Sequence, residues 1–468
     1  MGTGLFLQWV QVAVNARKVW RGQQGAVVEG AQPQPLNLWA TANEQPRVAA
    51  DDGAMNSSRH SRPERVVVVG AGMVGLSTAW FLQEAGVEVT VLDRDDVAAG
   101  SSWGNAGWLT PSMAVPLPEP SVLAYGFRAV LSPSSPVYIP PTANPRLLRF
   151  LAQFGRNCTH PRWQRAMAAL IPLNNGALAA FDDLERGGVT ARTKLAEPFT
   201  AAFRTAEDSK ALLEEFEHIR ASGQEINFDL VDGETARADE PALADGIATA
   251  IRIRDQRFID PAAYVESIAA SVRARGGRIL AGHDAEDVAS SGSGVEVAGE
   301  RYDAAVLATG ARLNRLARDY GVRRIVQAGR GYSFTVKVDD QPRGPVYFPT
   351  QRVACTPVGD RLRIAGMMEF RDVDAPMDPR RIQALVTEAR TLLKGVHLDQ
   401  REDEWVGARP CTSDGLPLVG ATRDPKVFVA GGHGMWGITL GPVTGRLLAE
   451  QIATGVRPDE LRPVDPLR

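Results

Sequence analysis

The chain has 468 residues, 44% of them hydrophobic and 23% charged, with 45 glycines and 31 prolines. That balance excludes a collagen-like, fibrous or wholly disordered polymer and leaves enough apolar residues for a large core. Lys and Arg total 52 against 55 Asp and Glu, a formal net charge of -3, so no basic excess marks a nucleic-acid partner. Three distant cysteines, Cys158, Cys355 and Cys411, cannot build a disulfide framework or a clustered zinc site, and the six histidines lack ligand spacing. No metal is expected.

Residues 5–14 (LFLQWVQVAV) are largely apolar, but no basic residues precede them as in a signal peptide. They are also too few to span a bilayer, which takes about 20 apolar residues. Residues 1–64 read as an extension outside the fold, and the protein as cytoplasmic, with peripheral contact at the inner face of the cell membrane left open.

The run Arg65-Val66-Val67-Val68-Val69 is β-branched and apolar, as expected of a parallel-sheet strand covered on both faces. It leads directly into Gly70-Ala71-Gly72-Met73-Val74-Gly75, a G-x-G-x-x-G pattern. A helix follows, with Met73, Leu76, Ala79 and Leu82 at every third position and Gly86 available to end it. Residues 87–92 read as a second strand, closing on Asp93. In such a unit the first glycine makes the tight turn, the second lets the backbone approach a pyrophosphate, and the third packs helix on strand. The helix N-terminus presents about half a positive charge to the phosphates. Asp93 is spaced to accept ribose hydroxyls and disfavours a 2′-phosphate. The glycines alone also fit an ordinary strand-to-helix turn; with both strands, the helix and the terminal acid they point to a dinucleotide.

The loop over 95–107 is rich in Gly, Ser and Asn and suits the wrapping of a phosphate-bearing chain. Its Gly100-Ser101-Ser102-Trp103-Gly104 also matches the nucleophile elbow G-x-S-x-G. That elbow needs a strand before it and a helix after it, and here loop lies on both sides. A hydrolase is set aside. Further on, Asp260 and Pro261 open a helix running to about Arg275, ended by Gly276-Gly277. Short strands are expected over 278–280, 295–297 and 304–308, the last running into Thr309-Gly310-Ala311. A final strand over 427–430 enters Gly431-Gly432-His433-Gly434-Met435-Trp436-Gly437-Ile438-Thr439, and a helix is expected over 443–452. Small residues at the carboxyl ends of strands describe the crevice of a doubly wound α/β sheet. A nicotinamide enzyme needs one glycine-rich anion site, whereas a flavin, with a ring to hold as well, has use for two.

The segments 66–94, 105–107, 260–277, 307–311, 329–336 (GRGYSFTV), 361–370 (RLRIAGMMEF), 405–420 (WVGARPCTSDGLPLVG) and 431–452 together carry a likeness. In them the chain resembles the D-amino acid oxidase superfamily of FAD-dependent amine oxidoreductases, and within it the bacterial D-amino acid dehydrogenase small subunits. The resemblance implies a Rossmann-like FAD-binding domain (65–112, 250–322 and 405–468) interleaved with an α+β, antiparallel-sheet substrate or cap domain (113–249 and 323–404). It implies FAD bound without a covalent tether, Cys411 lying off the tethering position. The cofactor contacts it implies are Gly70, Ala71, Gly72, Met73, Val74, Gly75, Asp93 and Arg94, then Ser101, Ser102, Asn105, Ala106 and Gly107. Val288, Thr309, Gly310, Gly432, His433, Gly434, Met435, Gly437, Ile438 and Thr439 complete the set.

By position the resemblance makes Arg409 a clamp for a substrate carboxylate, with Tyr332 and Tyr347 as hydroxyl donors to the same group and the imidazole of His433 as a candidate base. The plain alternatives are that Arg409 satisfies loop carbonyls beside Pro410 and that the tyrosines pack on the sheet. The implied reaction is hydride transfer from Cα–H of a D-amino acid, or a related secondary amino acid, to flavin N5, giving an imino and then a keto acid. Quinone, a protein partner or oxygen would take the electrons, and a homo-oligomer is left open. The competing readings are a non-catalytic, electron-relaying FAD subunit and a glycine/sarcosine-type oxidase. Residues 113–250 carry no close likeness, and the apolar stretch over 122–141 reads as cap packing or as a surface for a membrane or electron acceptor.

Overall fold

The computed structural model describes residues 62–120 and 134–468, so residues 1–61 and most of the 122–141 stretch lie outside the described residues. The fold begins slightly earlier than the expected extension ends: Arg62 donates to the Ala85 carbonyl (2.6 Å) and the Glu64 N–H to Asp303 (2.8 Å).

Strand β1 (Arg65–Val69), helix α1 (Met73–Glu84) and strand β2 (Glu88–Leu92) form the expected unit. Val66, Val67 and Val68 are completely buried, and Gly86 (φ 75°) turns the chain out of the helix in the left-handed region open to glycine. A six-stranded sheet is ordered Arg278–Leu280, β2, β1, β3 (Ala304–Leu307), Val427–Gly431, Leu418–Ala421, parallel except for the last pair. Helix α2 (Pro261–Ala274) starts as expected: the Asp260 carboxylate accepts from the N–H of Ala262 (3.1 Å) and Ala263 (3.4 Å), with Pro261 in the first turn. The C-terminal helix α3 (Gly437–Thr454) begins before the expected 443, because a 3-10 turn over Gly434–Trp436 winds straight into it and Pro442 lies inside it.

A second sheet of nine strands is built on β4 (Val326–Val336), β5 (Arg361–Phe370) and β6 (Glu402–Thr412), with β4 between the other two. Two of its strands, Thr249–Ile253 and β6, fall in segments that the sequence division assigns partly to the cofactor domain. Apolar strands at a crossing between sheets carry no periodic mark of which sheet they join. Side chains alternate across β4. Tyr332, Phe334 and Val336 pack with Ile364 and Cys355 and with the helix Pro379–Leu392, while Gly329, Gly331 and Ser333 face the other way. Among the described residues no helix is long and apolar enough to cross a membrane.

Candidate active site

The two glycine-rich loops sit side by side. Strands β1, β3 and Val427–Gly431 are consecutive and parallel, so the 70–75 turn, Thr309-Gly310 and the 431–437 loop all leave the same edge of the sheet. Close packing of α3 on α1 locks them there: a Cβ on Gly441 would lie 2.8 Å from Met73, and one on Gly445 2.8 Å from the Thr78 amide.

The first loop is shaped by its neighbours. Gly70 has φ +119°, and a Cβ there would lie 2.4 Å from the Ala308 carbonyl; on Gly75 it would lie 1.9 Å from the Gly70 carbonyl. Gly72 is the open one, facing only the Ser102 hydroxyl at 3.2 Å. That hydroxyl accepts from the Met73 N–H (3.1 Å), while Asp93 accepts from the N–H of Ala71 (2.7 Å) and Asp95 (2.9 Å). Ser102 and Asp93 are therefore brought to the turn by its own backbone N–H groups. Arg94 is spent on an ion pair with Asp95 at the rim. Val288 heads a strand of its own, its side chain buried beside Leu92 and Leu307, its N–H on Asp287 and its carbonyl accepting from Tyr320.

In the second loop Gly432 (φ 73°) and Gly434 (φ 58°) are left-handed, and nothing would obstruct a Cβ on Gly434 within 4 Å. Ile438 is core, so its side chain is withheld from a ligand, and the half-buried Met435 packs on the cluster holding Cys411. Thr439 donates to the Trp108 carbonyl (2.9 Å). His433 is 3% exposed, with Nε2 against the Thr444 hydroxyl (3.0 Å) and Nδ1 buried without a partner among the described residues. Burial pulls its pKa down to about 4, so the imidazole is neutral at neutral pH and poor at holding a proton. From the ordinary 6.5 down to about 4 the unfolded chain binds a proton that the fold refuses. Stability therefore rises with pH across that window, by an amount on the order of 3 kcal/mol. Urea unfolding of His433→Gln followed from pH 4 to 7 is expected to lose most of that slope.

On the face of the large sheet opposite the helix Pro379–Leu392, Arg409 stands across from Gly329, and its guanidinium lies over Gly331, where a Cβ would come within 2.3 Å of it. It donates to the Met367 carbonyl (2.8 Å) at a bulge where Met367 has φ 63°, and it pairs with no carboxylate among the described residues. Burial lowers its pKa, with only the neighbouring Cys411 acting against that. The Cys411 thiol is itself pushed up to about 12 by burial and stays protonated. Further along this face come Ser333, Ala365, Ala354 and Tyr347, a floor of small side chains ending at an aromatic wall. Tyr347 meets Trp108 edge-on at 5.3 Å.

Tyr332 is not part of this face, contrary to expectation. Alternation along β4 turns it to the other side, where its hydroxyl donates to Glu369 (2.8 Å) within a buried group that includes Arg330. Tyr332→Phe is expected to leave KM unchanged while lowering stability by about 1–2 kcal/mol, since it strips a hydrogen bond from a buried carboxylate. Thermal unfolding beside steady-state kinetics checks both halves.

Sequence reasoning also missed residues that close the site. Arg363, 5% exposed, donates to the carbonyls of Trp103 (2.8 Å) and Asn105 (3.4 Å), and Ser333 donates to that of Gly104 (2.8 Å). The Trp405 indole lies against Gly104 and Gly407. The signal for Arg363 and Ser333 was their inward parity on strands of the larger sheet, which needs the register to read. Asn105 turns its own side chain to the Gly107 N–H (2.9 Å), and Gly107 (φ 76°) abuts the Ile259 carbonyl, so this pair shapes the loop. A dinucleotide with a fused ring suits what is here: the open Gly72, Gly310 and Gly434, and the orphaned buried Thr309 hydroxyl and His433 Nδ1.

Comparison with known proteins agrees. The chain is 31% identical over 400 residues to a D-amino acid dehydrogenase of Cereibacter sphaeroides, covering 83% of this chain and 91% of that protein. It is 29% identical over 409 residues to one of Rhizorhabdus wittichii, covering 84% and 97%. Among solved structures, glycine oxidase from Geobacillus kaustophilus superposes with a TM-score of 0.65 at 22% identity, over 87% of this chain and 99% of that one. L-proline dehydrogenase from P. horikoshii gives 0.61 at 16%, over 87% and 98%. The family model described as FAD dependent oxidoreductase matches residues 65–451, a span that includes both glycine-rich loops, and the chain belongs to the FAD dependent oxidoreductase family.

Proposed function

We propose that the protein is a D-amino acid dehydrogenase, oxidising the Cα–N bond of its substrate with FAD held non-covalently. The observation that carries this is Arg409, a part-buried guanidinium with no carboxylate partner among the described residues, standing over a glycine beside a floor of small side chains. A cation taken partly out of water without a counter-ion is unfavourable, and a ligand carboxylate relieves it with two parallel, charge-assisted hydrogen bonds. On this reading the six-stranded sheet carries the cofactor and the nine-stranded sheet the substrate.

FAD, when bound, supplies the acceptor for a hydride. Gly72, Asp93, Ser102 and Thr309 are the residues we assign to its phosphate and ribose arm, and the 431–437 loop to its ring. The chain's own contribution is then orientation. Arg409 fixes the carboxylate, the bare Gly331 lets the guanidinium lie against the strand, and the wall of Tyr347 and Trp108 bounds the side chain. Fixing reactants in this way is worth up to roughly 7–11 kcal/mol of a barrier. His433 is held neutral against Thr444, and burial raises the Tyr347 phenol, so neither of these two is poised to take the amine proton. On this reading the amine arrives neutral. As Cα–H leaves as hydride, the nitrogen lone pair closes the C=N bond, and water releases keto acid and ammonium.

Anaerobic mixing with a panel of D- and L-amino acids, read at the visible flavin band, tests this. Bleaching by D-amino acids is expected. Absence of bleaching with every amino acid would leave an electron-relay subunit instead. Parallel assays with an artificial acceptor and for peroxide separate dehydrogenase from oxidase.

A further inference from the structure

The loop that follows β2 is held from two sides. On one side Ala98 N–H donates to the Ala71 carbonyl (3.0 Å), and Ser102 receives the Met73 N–H (3.1 Å), tying the loop to the glycine turn. On the other side the large sheet takes three successive carbonyls, those of Trp103 and Asn105 through Arg363 and that of Gly104 through Ser333. In a trans peptide each C=O points opposite to the next residue's N–H. Capturing the Trp103 and Asn105 carbonyls therefore aims the N–H groups of Gly104 and Ala106 away from the sheet. Neither N–H has an acceptor among the described residues, although Gly104 is buried. The intervening Asn105 N–H is already used by the Ser102 carbonyl (3.3 Å). Buried amides without acceptors are rare and costly in a finished fold.

Arg363 forms no ion pair among the described residues and lies over the Trp103 ring at 5.3 Å. Its remaining neighbours of charge are Asp260 and Asp403, which act at longer range. A guanidinium this enclosed has backbone carbonyls as its main compensation, so its position and that of the loop depend on each other.

We infer that Arg363, seated in the substrate-binding sheet, is a positioning residue for the cofactor: with Ser333 it orients the 103–106 peptides so that the Gly104 and Ala106 N–H groups are presented to FAD. This joins the cofactor loop to the sheet that carries Arg409, so that the two halves of the site keep one spacing. The inference rests on FAD binding and not on the identity of the substrate.

The test is FAD affinity of the purified holoenzyme, measured from the fluorescence of flavin released on dilution, alongside the reduction potential of bound FAD. Arg363→Met is expected to weaken FAD binding about ten- to hundredfold, the loss of one or two charge-assisted hydrogen bonds. Arg363→Lys, which keeps a donor but not the fork, should fall between it and the parent. Loss of FAD affinity is what distinguishes Arg363 from Arg409, whose removal is expected to leave flavin content intact. Should Arg363→Met fail to fold, Ser333→Ala decides: several-fold weaker FAD binding with an unchanged melting temperature supports the inference, and parent affinity overturns it. Parent FAD affinity and potential in a folded Arg363→Met, or a raised KM at unchanged FAD affinity, also overturn it.

Discussion

Arg409→Met is expected to raise KM for the amino acid by two to four orders of magnitude, with FAD content and melting temperature unchanged or slightly improved. The size follows from losing two hydrogen bonds to a charged group, each worth about 1.5–3 kcal/mol. The intact flavin follows from what the guanidinium bonds: among the described residues its hydrogen-bond partners are the Met367 carbonyl and the Met368 sulfur. The stability sign follows from burial, which disfavours the charge, so methionine removes a desolvation cost. Arg409→Lys restores charge without the planar fork and should recover only part of KM. Because orientation is lost along with affinity, kcat should fall too. Steady-state kinetics with an artificial acceptor, on protein of measured flavin content, decides the matter; parent kinetics in Arg409→Met would remove the clamp.

Gly75→Val is expected to yield protein without flavin and with a sharply lowered melting temperature. Its Cβ would start 1.9 Å from the Gly70 carbonyl and 3.3 Å from the Ala308 side chain, both parts of the strand ends that α1 must touch. Backbone cannot rotate aside as a side chain can, so the helix has to lift from β1, at a cost at or above the usual 1–3 kcal/mol of overpacking. Gly72→Ala is the informative contrast. It meets only the Ser102 hydroxyl at 3.2 Å. The fold should survive with a near-parent melting temperature while FAD affinity falls, because the added methyl occupies the approach to the pyrophosphate. If Gly72→Ala instead binds FAD normally, the crevice as assigned is wrong.

The nucleotide half was legible because its signals are local. A run of valines, three glycines at fixed spacing, a helix and a closing acid all lie within 65–93, and each element forms where its residues direct. The Asp260 cap and the left-handed Gly86 are likewise properties of a few adjacent residues. The start of α3 was misjudged because Pro442 reads as a stop when only neighbours are considered, yet the helix passes through it, packed against α1 by Gly441 and Gly445.

The substrate half was legible only in part. The motif around Arg409 could be recognised, but Tyr332 was assigned to the wrong face, since a GYS triplet does not say which of its members points inward. On the sequence alone, then, rested the dinucleotide cradle, the second glycine loop and the family likeness. Only the folded chain decided which side of β4 lies under Arg409, that β6 joins the larger sheet, and that Arg363 reaches the carbonyls of Trp103 and Asn105, 260 and 258 positions away in the chain. The physical reason is range. Turn geometry and helix caps are set by interactions a few residues apart, whereas the side of a sheet that a residue faces is fixed by strand register and bulges, such as the one at Met367, between segments distant in the chain.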